Sequence, residues 1–449
     1  MEQQKGKFGN WLRNSITAKL LVIGILALVL LIPLSFVKDI IYERSLRQSQ
    51  VITEINQKWG NEILLSGPIL KIPYHYYTEV KEYDKKQEEM ITKREEHLSY
   101  LYYFPDQLDI DAKVETKPLE RSIYKSVVYH SQLNLEGYFP KISSEEFEIP
   151  TEDVLWEKAS ILVKTSNLKG IKSQLEIQLG SLSTQLMPIY NQENLKTLQS
   201  EAISKFAEVK DEKIPFQLHL DMNGSKSLKF IPIGKTTEAK MTSNWPSPSF
   251  DGNFLPEDGS REITENGFKA DWKILQINRQ FEQSFKGNLP DLTQFAFGTN
   301  LIIPVDDYQK TDRTAKYGFM VISLTLIVFF LIQLVSKIYI HPFQYLMIGL
   351  ALVMFYSLLI SISEHATYFK AYLIAGSSVL VLIGIYSRFI FKNIKFPLLI
   401  SCSLAAVYSF IYVIIQLENY ALLIGSIGLF MILAIIMFAS RKIDWSSAS

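Results

Sequence analysis

Six stretches of this chain, residues 20–37, 317–336, 345–363, 371–387, 396–417 and 419–440, contain no charged side chain. The third sits inside HPFQYLMIGLALVMFYSLLISISEH (341–365), with His341-Pro342 at one end and Glu364-His365 at the other. A helix rises about 1.5 Å per residue, so each run crosses, or nearly crosses, a hydrocarbon core about 30 Å thick. Six such runs predict an α-helical membrane bundle. Their spacing leaves one long interval, 38–316, for a folded domain inserted between helices 1 and 2.

Charge follows the same division. Residues 38–316 hold 35 of the 46 Lys+Arg and 42 of the 46 Asp+Glu, so an acidic domain is joined to a basic membrane part although the net charge is zero. An acidic surface argues against nucleic acid as a partner. The single cysteine, Cys402, makes no internal disulfide and forms no metal-binding cluster. Lys5, Lys7, Arg13 and Lys19 precede the first run as in a signal peptide, but Ile32-Pro33-Leu34-Ser35-Phe36-Val37 offers no small-x-small cleavage site. The run reads as an uncleaved anchor, and Pro33 predicts a kink. With both termini on one side, that side carries ten basic residues against Lys370 alone in the short loops opposite. The positive-inside rule makes the termini (1–19 and 441–449) cytoplasmic and 38–316 extracytoplasmic.

Residues 38–59 continue the anchor as an amphipathic stalk, with Ile41, Ile52, Ile55 and Trp59 on heptad-like spacing and a stop at Gly60. A helix packed on its own domain fits this pattern better than a coiled coil. Residues 60–316 read as β-rich and sandwich-like. Leu133–Phe139 and Phe216–Met222 alternate apolar and polar residues, the period of a half-buried strand. Gly67-Pro68 reads as a turn, Asn223-Gly224 as a type I′ hairpin leading to 228–233, 81–96 as a solvated hairpin tip and 191–209 as a local helix.

Three stretches are candidates for function. Residues 244–256 (NWPSPSFDGNFLP) hold three prolines and three aromatics. A stiff loop loses little entropy on binding, so Trp245, Phe250 and Phe254 are candidate contacts, the plain alternative being that they plug their own core. Asp306 to Lys316 leads into the second span with alternating charge; Asp307, Asp312, Arg313 and Lys316 could couple the domain to the membrane or simply face water. Glu364 and His365 form a carboxylate–imidazole pair at the membrane edge, either a relay or a solvated helix end. No ionisable group lies in the middle of any span, which argues against a proton-coupled pump. No phosphate-binding glycine loop, zinc-binding histidine pair, nucleophile elbow or dinucleotide fingerprint occurs, so no catalytic residue, metal or cofactor is expected. His75, His97, His130 and His219 are scattered without ligand spacing.

The motifs GPILKIP (67–73), TSNWPSPSFDGNFLP (242–256), YQKTDRTAKY (308–317), the 341–365 span and RKIDW (441–445) run in the order of the CreD family, which this chain resembles over nearly its whole length. The resemblance implies a bacterial inner-membrane address, a periplasmic β-rich domain and a link to envelope integrity and stress, with no settled catalytic residue. The expectation is a non-enzymatic membrane protein whose periplasmic domain binds a protein or envelope component. One alternative is a transporter or lipid-handling protein using helices 2–6, with Glu364-His365 as its only polar foothold. Another is a stress sensor that would need a partner for its output.

Overall fold

The computed structural model describes residues 15–84, 89–190, 195–303, 307–417 and 420–441, and of 82–84, 89–91 and 439 the backbone only. Lys5, Lys7, Arg13, Asp306, Lys442 and the segments 85–88 and 191–194, on which parts of the sequence reading fall, lie outside the described residues. The chain divides into two compact units: Met1–Gln50 with Val305–Ser449, and Val51–Pro304.

The first unit is helical: α1 Ile16–Val29, the start of α2 Leu31–Trp59, α3 Asp307–Lys316, α4 Gly318–Ser336, α5 Pro342–Ser363, α6 Tyr368–Ile390, α7 Lys395–Gln416 and α8 Ala421–Ser440. Counting α1 and α2 as one span, six helices among the described residues are long and apolar enough to cross a membrane. The anchor breaks at Leu30, three residues before Pro33, because proline offers no N–H to the carbonyl one turn back and its ring crowds that carbonyl. At the start of α5, His341 accepts from Phe343 N (3.2 Å) and Gln344 returns a bond to His341 N (2.9 Å), with Pro342 at the first helical position.

Helices of this unit meet at small residues. Leu30 fills the space beside Gly349, and Leu34 lies against Gly318. Glycine at both places lets the anchor approach α4 and α5 closely. The buried Gln333 accepts a hydrogen bond from Tyr345 Oη at 2.7 Å, and Tyr372 Oη donates to the Tyr408 carbonyl at 2.7 Å. Both bonds settle polar groups that lipid could not solvate.

The second unit is built of strands. In chain order they are β1 Ile63–Asp84, β2 Glu89–Tyr103, β3 Gln107–Arg121, β4 Tyr124–Phe139, β5 Ser160–Thr165, β6 Leu175–Leu179, β7 Leu182–Ile189 and β8 Lys196–Ser200. After one helical turn at Phe206–Val209 come β9 Ile214–Ser225, β10 Ser227–Phe230, β11 Thr236–Ser243, β12 Pro248–Gly252, β13 Glu262–Thr264, β14 Gly267–Leu275, β15 Ser284–Lys286 and β16 Phe297–Leu301. Hydrogen bonding runs unbroken in the order β12-β16-β10-β1-β5-β8-β7-β6-β9-β4-β3-β11-β14-β13, with β2 on β1 and β15 on β2. The pairs β1–β10 and β3–β11 are parallel. The fold class is therefore the one the sequence predicts: a six-helix membrane protein with a large β-rich domain between helix 1 and the later helices.

The period-two segments face as expected. In β9, Phe216, Leu218, Leu220 and Met222 are buried while Gln217 and His219 are exposed. Leu108, Ile110, Ala112 and Val114 of β3 and Leu133 and Leu135 of β4 join them in one core. Each such burial contributes roughly 1.5–3 kcal/mol for a large aliphatic side chain.

Three local expectations are corrected. Asn223-Gly224 is not a hairpin turn; it continues β9, which pairs with β4, while β10 pairs with β1 and β16. Extended pairing to a neighbouring strand outweighs the local turn preference of the dipeptide. Among the described residues of 191–209, Lys196–Ser200 is a strand and helix is confined to Phe206–Val209, because β5 and β7 offer backbone partners on both sides. Gly67-Pro68 is an irregularity inside β1, where its register on β5 shifts between Ser66 and Ile69, not a turn before it.

Candidate functional site

The β unit has a polar cleft of about 500 Å³ lined by Trp59, Glu115, Thr116, Lys117, His130, Asn223 and Asn244. Strand register creates it. His130 of β4 lies opposite Glu115 of β3 on one side and Asn223 of β9 on the other. Its Nδ1 is 3.1 Å from Asn223 Oδ1, and its Nε2 is 3.0 Å from Asp221 Oδ1. Asp221 and Asn223 are two apart, so they share a face of β9.

The walls of the cleft are held firmly. Gly60 and Gly170 approach the carbonyl of Asn223 so closely that a Cβ would come within 2.3 and 2.0 Å of it. Gly60 also has φ near +141°, a conformation that favours glycine. Asn223 N donates to the Gly170 carbonyl at 2.8 Å. The end of α2 closes one side: Trp59 Nε1 donates to the Tyr129 carbonyl at 3.1 Å, and Lys117 Nζ sits 4.7 Å from the centre of the indole ring. Asn56, also on α2, accepts from Ser126 Oγ at 2.7 Å in a buried bond.

Asn244 completes the cleft from the start of the stiff aromatic loop. Its Oδ1 accepts from Thr116 N (2.7 Å) and Thr116 Oγ1 (2.8 Å), and its Nδ2 returns a bond to the Thr116 carbonyl (3.1 Å). With the Thr116 hydroxyl and both ring nitrogens of His130 so engaged, what remains is Glu115 and the Lys117 ammonium over the indole, beside the His130–Asp221 pair. Such a set can donate to and accept from a hydrogen-bonding ligand.

The predicted stiff loop is in part a strand, since Pro248–Gly252 is β12 paired with β16, and its aromatics face inward. Trp245 is half-buried, and its Nε1 is shared between the carbonyls of Ser247 (3.1 Å) and Ile302 (3.0 Å). Phe250 packs edge-on against Phe268 and Trp272, with ring centroids 5.7 and 5.8 Å apart, and Phe254 packs on the same core. Asp251 is fastened to Lys229 and to Asn300 Nδ2 (3.1 Å); these hydrogen bonds, Lys229's first, hold its carboxyl below the usual range. Elsewhere in the β unit, the buried Arg279 lies over Phe281 and donates to the carbonyls of Ile233, Gly234 and Phe281 and to Gln283, with its pKa pushed down to about 10 by burial.

In the membrane unit, Glu364 at the end of α5 is mostly buried. It accepts from Tyr308 Oη at 3.3 Å and lies 3.6 Å from Arg44 Nε. His365 is exposed beside it. The segment 307–316 is an ordered amphipathic helix, α3, whose buried face is Tyr308, Thr311, Thr314 and Ala315. Thr314 Oγ1 and Tyr368 Oη are 2.6 Å apart. Asp312 pairs with Lys316 within the helix at 2.8 Å, Asp307 opens its first turn, and Arg313 is half-buried against a cleft facing α2.

From sequence His130 reads as a scattered histidine and Asn223 as part of a turn, and Asp221 and Lys117 are not singled out. The alternation read at 133–139 and 216–222 includes Asp221 on the polar side but stops short of His130 and Asn223. The two residues that flank the imidazole lie about ninety positions further along the chain, and pairing of β4 with β9 is what brings them to it.

Six apolar helices with a β-rich domain inserted after the first define a class of multi-pass membrane proteins with one large inserted domain. A family model described as inner membrane protein CreD matches residues 15–446. The chain is also 30% identical over 425 residues to inner membrane protein CreD of Escherichia coli (strain K12), covering 94% of this chain and 92% of that protein. The chain belongs to the CreD family.

Proposed function

We propose that this protein supports the integrity of the cell envelope from the inner membrane, without catalysis, by binding a protein or envelope component in the cleft around His130. In this reading both termini are cytoplasmic and the β-rich unit is periplasmic, as the distribution of basic residues suggests. The observation that carries it is the rigid construction of the cleft, whose hydrogen-bonding groups are fixed by close glycine contacts and reciprocal side-chain bonds. Preorganised polar groups lose little freedom when a ligand arrives.

A transport role would need Glu364 to act in the bundle. Its contacts with Arg44 and Tyr308 at the end of a helix suit a fastening better than a pathway.

Photo-crosslinking in living cells tests the proposal, with a crosslinking amino acid placed at Lys117 in the full-length protein and, as a control, at the exposed Lys158. The expected result is one dominant adduct from position 117 that falls several-fold when His130→Ala and Asn244→Ala are added. Adducts equal at both positions, or unaffected by those changes, would overturn it.

A further inference from the structure

A second cleft, of about 320 Å³, lies within the membrane unit between the early part of α2 and α3. Tyr42 and Ser45 line it from α2, and Gln309, Asp312, Arg313 and Lys316 from α3. Its charges are unequally matched. Lys316 is held by Asp312 and Arg44 by Glu364, but Arg313 has no carboxylate partner among the described residues. A half-buried guanidinium without an anion carries a desolvation cost that a bound anion offsets. Its fork of donors suits phosphate, which it can grip through two parallel bonds.

The level of the cleft identifies the anion's source. The uncharged anchor ends at Val37 and the next apolar helix begins at Gly318. Tyr42 and Arg313 each lie five residues beyond those limits, about 7 Å along a helix, which is the depth of the headgroup layer on one face of a bilayer. Beyond α3, Phe319 near the start of α4 is exposed. It follows Lys316 by three residues, so hydrocarbon begins directly below the basic groups.

We propose that this cleft binds the phosphate of a membrane lipid. Arg313 grips the phosphate oxygens, Ser45, Tyr42 and Gln309 donate neutral hydrogen bonds, Lys316 stays paired with Asp312, and the hydrocarbon chains pass Phe319 into the bilayer. Free phosphate shares the headgroup chemistry but has no hydrocarbon chains to hold it at this depth. The site is separate from the His130 cleft and stands or falls without it.

Native mass spectrometry of the full-length protein released from detergent tests this, with phosphatidylglycerol titrated against wild type, Arg313→Gln and, as a control, Lys392→Gln. The tightest-bound lipid should weaken about tenfold in Arg313→Gln and be unchanged in Lys392→Gln. Arg313→Lys, which keeps the charge and loses the fork, should fall between and covers the case in which the glutamine variant melts early. An excess of inorganic phosphate should leave the bound lipid in place. Equal lipid retention in wild type and both Arg313 variants would overturn the site, and displacement by inorganic phosphate would show a free-anion site instead.

Discussion

Phe297 in β16 is fully buried between Phe230 and Trp272, with ring centroids 6.0 and 5.7 Å away, whereas Phe438 in α8 is 74% exposed. Both occur in well-formed elements of the same chain. The β unit hides its aromatics and turns Gln217 and His219 outwards; the helical unit turns Phe430 and Phe438 outwards and buries Gln333 and Thr314. One rule covers both, because each side chain faces the medium that solvates it. The difference teaches that burial carries opposite meanings in the two units. A buried phenylalanine is ordinary in the first, and a buried, bonded glutamine is the informative group in the second.

The comparison can be broken most forcefully by truncating the two phenylalanines. Phe297→Ala should cost the β unit about 3–5 kcal/mol, seen as a lower melting temperature and faster proteolysis of the full-length protein. Phe438→Ala in lipid nanodiscs should change stability by less than about 0.5 kcal/mol. If Phe438→Ala were equally harmful, α8 would have to pack against something other than lipid.

Two glycines sharpen the contrast at a smaller scale. Gly60→Ala sets a Cβ against the backbone carbonyl of Asn223 and forces an unfavourable φ, so a loss of about 1–3 kcal/mol is expected. Gly349→Ala meets the buried side chain of Leu30 rather than backbone and gains helix propensity, so a smaller loss of about 1 kcal/mol is expected. Thermal melts of the two variants decide it, and the reverse ranking would mean that the bundle is the stiffer unit.

The smallest effect expected is a pH dependence confined to the β unit. The Lys229 and Asn300 hydrogen bonds lower the pKa of Asp251 in the folded state relative to the unfolded chain. Its contribution is therefore complete above the unfolded value near 4 and is lost as the pH falls through the lower folded value. Asp251→Asn should melt slightly below wild type at pH 7 and show a shallower decline on acidification below about pH 4. Parallel declines for the two proteins would remove Asp251 from the account.

Much of this could be read before any coordinates. The run 345–363 announces a membrane helix because a helix satisfies its own backbone and lipid excludes charge, so composition within one segment is enough. His341-Pro342 announces its start for an equally local reason. The strands at 133–139 and 216–222 were visible because period two is also local. By contrast, Asn223-Gly224 misled, since its turn preference is worth less than the pairing of β9 with β4. The aromatic loop was half legible. Its composition marked it as special, but that Trp245 spends its indole N–H on Ser247 and Ile302, while Asn244 reaches Thr116, depends on strands far apart in the chain.

What the chain's own order of residues settled was membrane class, number of spans and the presence of an inserted β-rich domain, all of which follow from hydrophobicity and periodicity summed over short windows. What only the tertiary structure decided was which residues share a site. His130 meets Asp221 and Asn223, and Arg44 meets Glu364, because strand register and helix packing close loops that no local pattern encodes. Loop closure costs conformational entropy that is offset by the burial of the whole core, so the partners of any one residue are chosen by the fold as a unit.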